Sequence, residues 1–200
     1  MPRYSVTGST PDWPGLHRLL YEQQGYFTAA QAHGHSISPA LLRYHVDSGA
    51  FERVMRGVYR LSTFPPTPAE DLVVFWLWSD RHGVFSHATA LLQHRLSDAL
   101  PGSTCMTVPA AWRSRRLQVP PGLHLHYADL PPRSHVWIDG VPVTRPLRTV
   151  VDCIEHGVSL EITADALRDA LDRGLFSRPE YLAELRAAGI DRRQLPKELR

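Results

Sequence analysis

Arg43, Arg53, Arg56 and Arg60 fall in one short stretch of the chain, with Tyr44 beside the first. A guanidinium carries its donors in a planar fork that fits phosphate oxygens and the edge of guanine, so this grouping points toward nucleic acid. A second cluster, Arg113, Arg115 and Arg116, can grip a phosphate or an acidic partner, or simply sit in solvent. Arg148 and Asp152 stand four apart, the spacing of an ion pair along one helix face. To act catalytically they would need a nucleophile or a second acid to hold a metal, and neither is at hand, so a structural pair is expected. Ser86 precedes His87, but a serine at a helix start is usually a cap. His33 with His35, and His124 with His126, make two His-x-His pairs. The second pair, on an expected strand, can ligate a metal from one face, yet the sequence implies no cysteine, histidine or carboxylate partner for it. A Gly-rich phosphate loop, a Gly-x-Ser-x-Gly elbow and a His-Glu-x-x-His helix are all missing from the sequence. The expectation is a protein with no catalytic residues, no metal and no cofactor.

The elements around the first arginines read as helix, turn, helix and hairpin. Thr28 and Gln31 have capping-box spacing, which starts a short helix with Phe27 just outside it as core filler. His33-Gly34 offers a left-handed exit. Ser38 and Pro39 start a second helix, with a capping hydroxyl and a proline where its missing N–H costs nothing, and Gly49 stops it. On this helix Leu41, Leu42, His45 and Val46 share one face, and Ala40, Arg43, Tyr44 and Asp47 share the other, a plausible reader of the major groove. Phe51 to Leu61 alternates apolar and basic residues around Arg56-Gly57, as a two-stranded wing does, with Arg53, Arg56 and Arg60 decorating it. An earlier helix from Asp12 and Pro14 to about Gln24 packs Leu16, Leu19 and Leu20 behind the reader. These elements form a winged helix-turn-helix over residues 1–66.

Beyond the proline-rich stretch Thr63 to Pro68, residues 67–200 read as a mixed helix and strand domain, making the whole chain α+β. Thr67-Pro68-Ala69-Glu70 is another capping box, and Ser86 opens a further helix. Strands are expected at Thr104–Val108, at Leu123–Tyr127, and at Val136–Thr144 folded over Asp139-Gly140. Helices follow at Leu147 to Glu155, Leu160 to Arg173, and from Ser177, whose capping box with Glu180 is flanked by Phe176 and Tyr181 as a hydrophobic staple. The segment Asp191 to Arg200 reads as charged and frayed.

Net charge is +2 over 200 residues, and residues 1–66 hold six arginines against four acids, so any polyanion contact is concentrated on one face. Lys197 is the sole lysine, a bias that genomic base composition commonly produces. Cys105 and Cys153 lack cysteine neighbours, which argues against a disulfide framework or thiolate zinc site and for a cytoplasmic chain. No apolar run suits a secretory signal or a membrane span.

The runs GYFTAAQA, RYHVDSGAFERVMRGVYRL, FSHATALLQH and RPLRTVVD, in that order, resemble the AbiEi antitoxins of type IV toxin–antitoxin systems. The resemblance implies an N-terminal winged helix that represses its own operon by binding promoter repeats in double-stranded DNA. It also implies a C-terminal antitoxin domain that counteracts a nucleotidyltransferase toxin, directly or functionally. Carried onto this sequence, the DNA contacts are Thr28 and Ser38 at helix starts, Arg43 and Tyr44 on the reading helix, and Arg53 and Arg56 on the wing. Arg113, Arg115, Arg116 and Arg148 are toxin-facing candidates chosen by charge. Related proteins continue from an RTVVD-like region into a nuclease resembling very-short-patch repair endonucleases, whereas this sequence ends at Arg200 without the acid, acid-x-Lys pattern. Two other readings stay open: an enzyme acting on nucleic acid or on the toxin through Arg148 and Asp152, and a winged helix that binds protein and not DNA.

Overall fold

A computed structural model describes residues 10–67, 69–98 and 102–200. The fold is α+β, and the chain divides into two compact units, one ending at Arg81 and one spanning His82–Arg200.

The first unit runs α1 (Trp13–Glu22), β1 (Tyr26–Thr28), α2 (Ala29–Gly34), α3 (Pro39–Asp47), β2 (Phe51–Met55), β3 (Val58–Leu61) and α4 (Glu70–Trp78). Asp12 caps α1 by accepting the Gly15 N–H at 2.9 Å. The chain then turns at Gly25, where φ is +86° and an added Cβ would lie 2.5 Å from the Phe64 ring, so only glycine fits. Thr28 and Gln31 form the expected capping box, with the Thr28 N–H donated to Gln31 Oε1 at 2.8 Å and the Gln31 N–H to Thr28 Oγ1 at 3.1 Å. The left-handed exit from α2 lies at Ser36, φ 60°, and not at Gly34. His35 and Ser36 still donate back to Ala32 and His33, which delays the reversal until Ile37 can drop into the core. Ser38 caps α3 through the Leu41 N–H at 3.2 Å, and Gly49 reverses the chain at φ +78°.

Leu16, Leu20, Phe27, Ala32, Ile37, Leu42 and Phe51 form the core of this unit. Its sheet has the order β1-β3-β2, antiparallel throughout. Strand β1 is an addition to the sequence reading: three residues carry no period of their own, and their ladder comes from Val58 to Arg60. The capping box expected at Thr67 and Glu70 does not form, and Pro68 lies outside the described residues. The Thr67 hydroxyl bonds Gln24 Oε1, and Glu70 accepts from the Tyr26 hydroxyl at 3.0 Å, so tertiary partners displace local ones. The Tyr26–Glu70 bond ties α4 to β1, α4 also packs beside β3, and the first unit extends past Pro66, where the sequence reading divides the chain.

The second unit contains β4 (Val84–Phe85), α5 (His87–Gln93), β5 (Thr104–Val108), β6 (Leu123–Tyr127), β7 (His135–Ile138), β8 (Val141–Thr144), α6 (Pro146–Glu155), α7 (Leu160–Asp172) and α8 (Arg178–Ala187). Its five-stranded mixed sheet has the order β6-β5-β4-β8-β7. Asp139 and Gly140, both at positive φ, turn β7 into β8. Val150, Val151, Cys153, Leu167, Tyr181 and Leu185 are among the residues that build the helical core. At the start of α8, Ser177 and Glu180 complete their capping box, and the Phe176 and Tyr181 rings stack 6.4 Å apart as the staple requires. The end of the chain is docked and not frayed: Leu199 is buried, and its carbonyl accepts the Tyr181 hydroxyl at 2.7 Å. Two apolar side chains in a charged segment, Leu195 and Leu199, anchor it on the helical core. Among the described residues no helix is long and apolar enough to cross a membrane.

Candidate nucleic-acid interface

Helix α3 presents Ala40, Arg43, Tyr44 and Asp47 to solvent and turns Leu41, Leu42, His45 and Val46 inward. Edge-on packing of His45 against Trp13 at 5.0 Å, and its contact with Phe51 at 5.3 Å, fixes the helix on α1 and β2. Arg43 is 84% exposed, and its one ionic neighbour among the described residues is Asp47, with Nε 3.7 Å from Oδ2. An exposed pair of this kind is worth only about 0.3–0.5 kcal/mol, so the guanidinium is free to take a stronger partner. Arg53 and Arg56 are exposed on the wing. Arg43 and Arg53 line one cleft of about 430 Å³ with His33, Asp47 and Tyr59. His33 and Tyr59 are additions to the sequence reading, and a helix exit and a half-buried strand position gave no signal for them.

Arg60 does not decorate the wing. Its Nη2 donates to the Phe64 carbonyl at 2.8 Å, Nη1 lies 3.8 Å from Glu52, and its guanidinium sits 6.0 Å from the Tyr26 ring centre. Tyr26 and Glu52 are its cross-strand partners on either side, and they draw it inward. The Thr28 and Ser38 hydroxyls are engaged as caps, so the groups these sites can offer an anion are those of the helix starts.

The toxin-facing candidates are not gathered into one site. Arg113 and Arg115 lie over the Tyr127 and Trp112 rings at 5.7 Å and 4.5 Å, and Arg116 follows them, exposed. Arg148 is the expected ion pair: Nη2 is 2.6 Å from Asp152 Oδ1, with side-chain exposures of 26% and 3%. Arg148 Nε and Asp152 Oδ2 are buried without a hydrogen-bond partner among the described residues. Burial pushes the Asp152 carboxyl above its usual range, against the opposing pull of Arg148.

His126 does acquire partners, contrary to the sequence reading. The His87 ring stacks on it with centroids 3.5 Å apart, and His156 meets it edge-on at 4.8 Å. Those rings come from a helix start and a helix end far away in the chain, which no local spacing reveals. Burial drives His87 down to about 2 and His126 to about 4, so both are neutral at neutral pH. Ser86 occupies the cap position of α5 without capping it: its hydroxyl meets His87 Nδ1 at 2.8 Å and accepts from Thr107 Oγ1 at 2.8 Å.

Residues 17–62, from within α1 to just past β3, match the family described as "Transcriptional regulator, AbiEi antitoxin". The matched segment holds the whole of α3 and the wing. No curated protein matches the chain.

Proposed function

We propose that the first unit, which carries this AbiEi regulator segment, binds double-stranded DNA upstream of its own operon, and that the chain is the antitoxin to a nucleotidyltransferase toxin. The observation that carries the DNA reading is the coincidence of the matched segment with an exposed arginine pair, Arg43 and Arg53, across one cleft. A major groove about 12 Å wide admits α3. In that pose Arg43 and Tyr44 face base edges, Arg53 and Arg56 on the wing neutralise flanking phosphates, and Thr28 and Ser38 bring helix starts to the backbone. Arg113, Arg115 and Arg116 are the second unit's candidates for an acidic face of the toxin. Arg148 is the weakest of that set, because Asp152 already holds its charge. The reading requires no chemistry at Arg148 and Asp152 and places the protein in the cytoplasm, where its operator is.

The test uses the whole chain in cells carrying a reporter on its upstream region and, under separate control, a nucleotidyltransferase toxin encoded beside it. Wild type should silence the reporter and rescue growth. The triple variant R43A/R53A/R56A should lose silencing and keep rescue. A reporter indifferent to wild type contradicts the repressor reading, and failure of wild type to rescue growth contradicts the antitoxin reading.

A further inference from the structure

Three histidines from separate elements of the second unit bring ring nitrogens together: His87 at the start of α5, His126 on β6 and His156 just past α6. One ligand atom from each lies within 4.8 Å of the others, and His87 Nε2 and His156 Nδ1 are 3.1 Å apart. We propose that these three side chains bind one divalent transition metal of the zinc class, with His87 as the fixed ligand and a coordination position left open toward solvent.

The donor chemistry fits. Three neutral imidazoles are the ligand set of an open zinc site, in which a water or substrate takes the fourth position. The spacing is close to what such a centre needs. A tetrahedral ion with Zn–N of about 2.0–2.1 Å holds its ligand nitrogens about 3.3 Å apart. The His87–His156 contact already meets that distance. The remaining approaches close by rotation of the half-buried His126 and the exposed His156, while His87, 2% exposed, stays in place.

His87 is held as a metal ligand is held. Its Nδ1 is engaged by Ser86, and Ser86 is engaged in turn by Thr107, which leaves Nε2 directed at the cluster. Such outer partners fix the orientation of a ligating imidazole. Thr107 pairs with His126 across β5 and β6, so one sheet position supplies both the support and a second ligand. The His87 backbone sits at φ 53°, a left-handed conformation uncommon for a residue with a Cβ, at the start of α5.

Core packing alone accounts poorly for the arrangement. His87 and His126 lie face to face at 3.5 Å and 15°, closer than the 4.5–7 Å offset or edge-on geometries that aromatic pairs favour. A cation shared by the nitrogens turns His126 out of that stack and replaces the hydrogen bond between His87 Nε2 and His156 Nδ1, with His156 Nδ1, which also meets the Asp152 carbonyl at 3.1 Å, shifting its proton to the other ring nitrogen. The site is independent of the DNA reading, since it draws on no residue of the first unit.

The test is titration of the full-length, chelator-stripped chain with zinc chloride by calorimetry, with cobalt(II) as a visible-absorption probe of coordination. Wild type should bind one zinc per chain, and the cobalt form should show the intense d–d bands of a four-coordinate ion. H126Q and H156A should each lose stoichiometric binding, whereas H33Q, at an exposed histidine of the other unit, should retain it. His156 is exposed, so H156A keeps the fold, and circular dichroism verifies this. Substoichiometric binding by wild type overturns the proposal, as does one full equivalent retained by H156A.

Discussion

Replacing Arg43 with alanine is expected to weaken binding to the upstream duplex by about fivefold to more than a hundredfold, the ~1–3 kcal/mol of a forked contact to a base edge, and to change binding to a scrambled duplex little. The side chain is 84% exposed and forms a loose ion pair with Asp47, so its loss leaves the fold intact and the effect is read in DNA alone. Arg53→Ala and Arg56→Ala should behave differently. As phosphate contacts they lower affinity for both duplexes and reduce the slope of log affinity against log salt by about 0.9 each. Arg60→Ala should lower stability before it touches recognition, because its guanidinium braces Phe64, Glu52 and Tyr26. Fluorescence anisotropy on the two duplexes separates these cases, and an R43A variant as tight and as selective as wild type would remove α3 as the reader.

The largest stability effect is expected at Asp152. Asp152→Ala leaves Arg148 charged and half-buried without its partner, a change that costs about 3–5 kcal/mol, or a fall in Tm on the order of 6–20 °C. The double variant R148M/D152L, which replaces both charges with apolar side chains of similar bulk, should recover most of that loss. Differential scanning calorimetry of the full chain reads both. The same pair decides between a structural and a catalytic role. If D152A keeps the wild-type melting temperature yet abolishes an activity on nucleic acid or on the toxin, the ion-pair account is wrong and the enzyme reading gains.

Legibility in the sequence followed the range of the forces involved. The caps at Thr28, Ser38 and Ser177 were readable because every partner lies within three residues, and each forms as expected. The exposed face of α3 was readable from helical period, and the β7–β8 hairpin from Asp139-Gly140. Thr67, Glu70 and Ser86 had equally good local patterns and were diverted by Gln24, Tyr26, His87 and Thr107, partners that only the tertiary fold supplies. The same limit hid β1, whose ladder is non-local, and the inward turn of Arg60. It also hid the histidine cluster, in which His124 and His126 were visible as a strand pair while His87 and His156 lay far off in the chain.

Sequence-specific DNA binding by the first unit is tested by anisotropy of the purified full-length protein on its own upstream duplex and on a scrambled duplex across a series of salt concentrations. Binding to the upstream duplex should be the tighter at every salt, with log affinity falling by about 0.9 per phosphate contact per log unit of salt. Equal affinity for the two duplexes, or binding to neither, would contradict it.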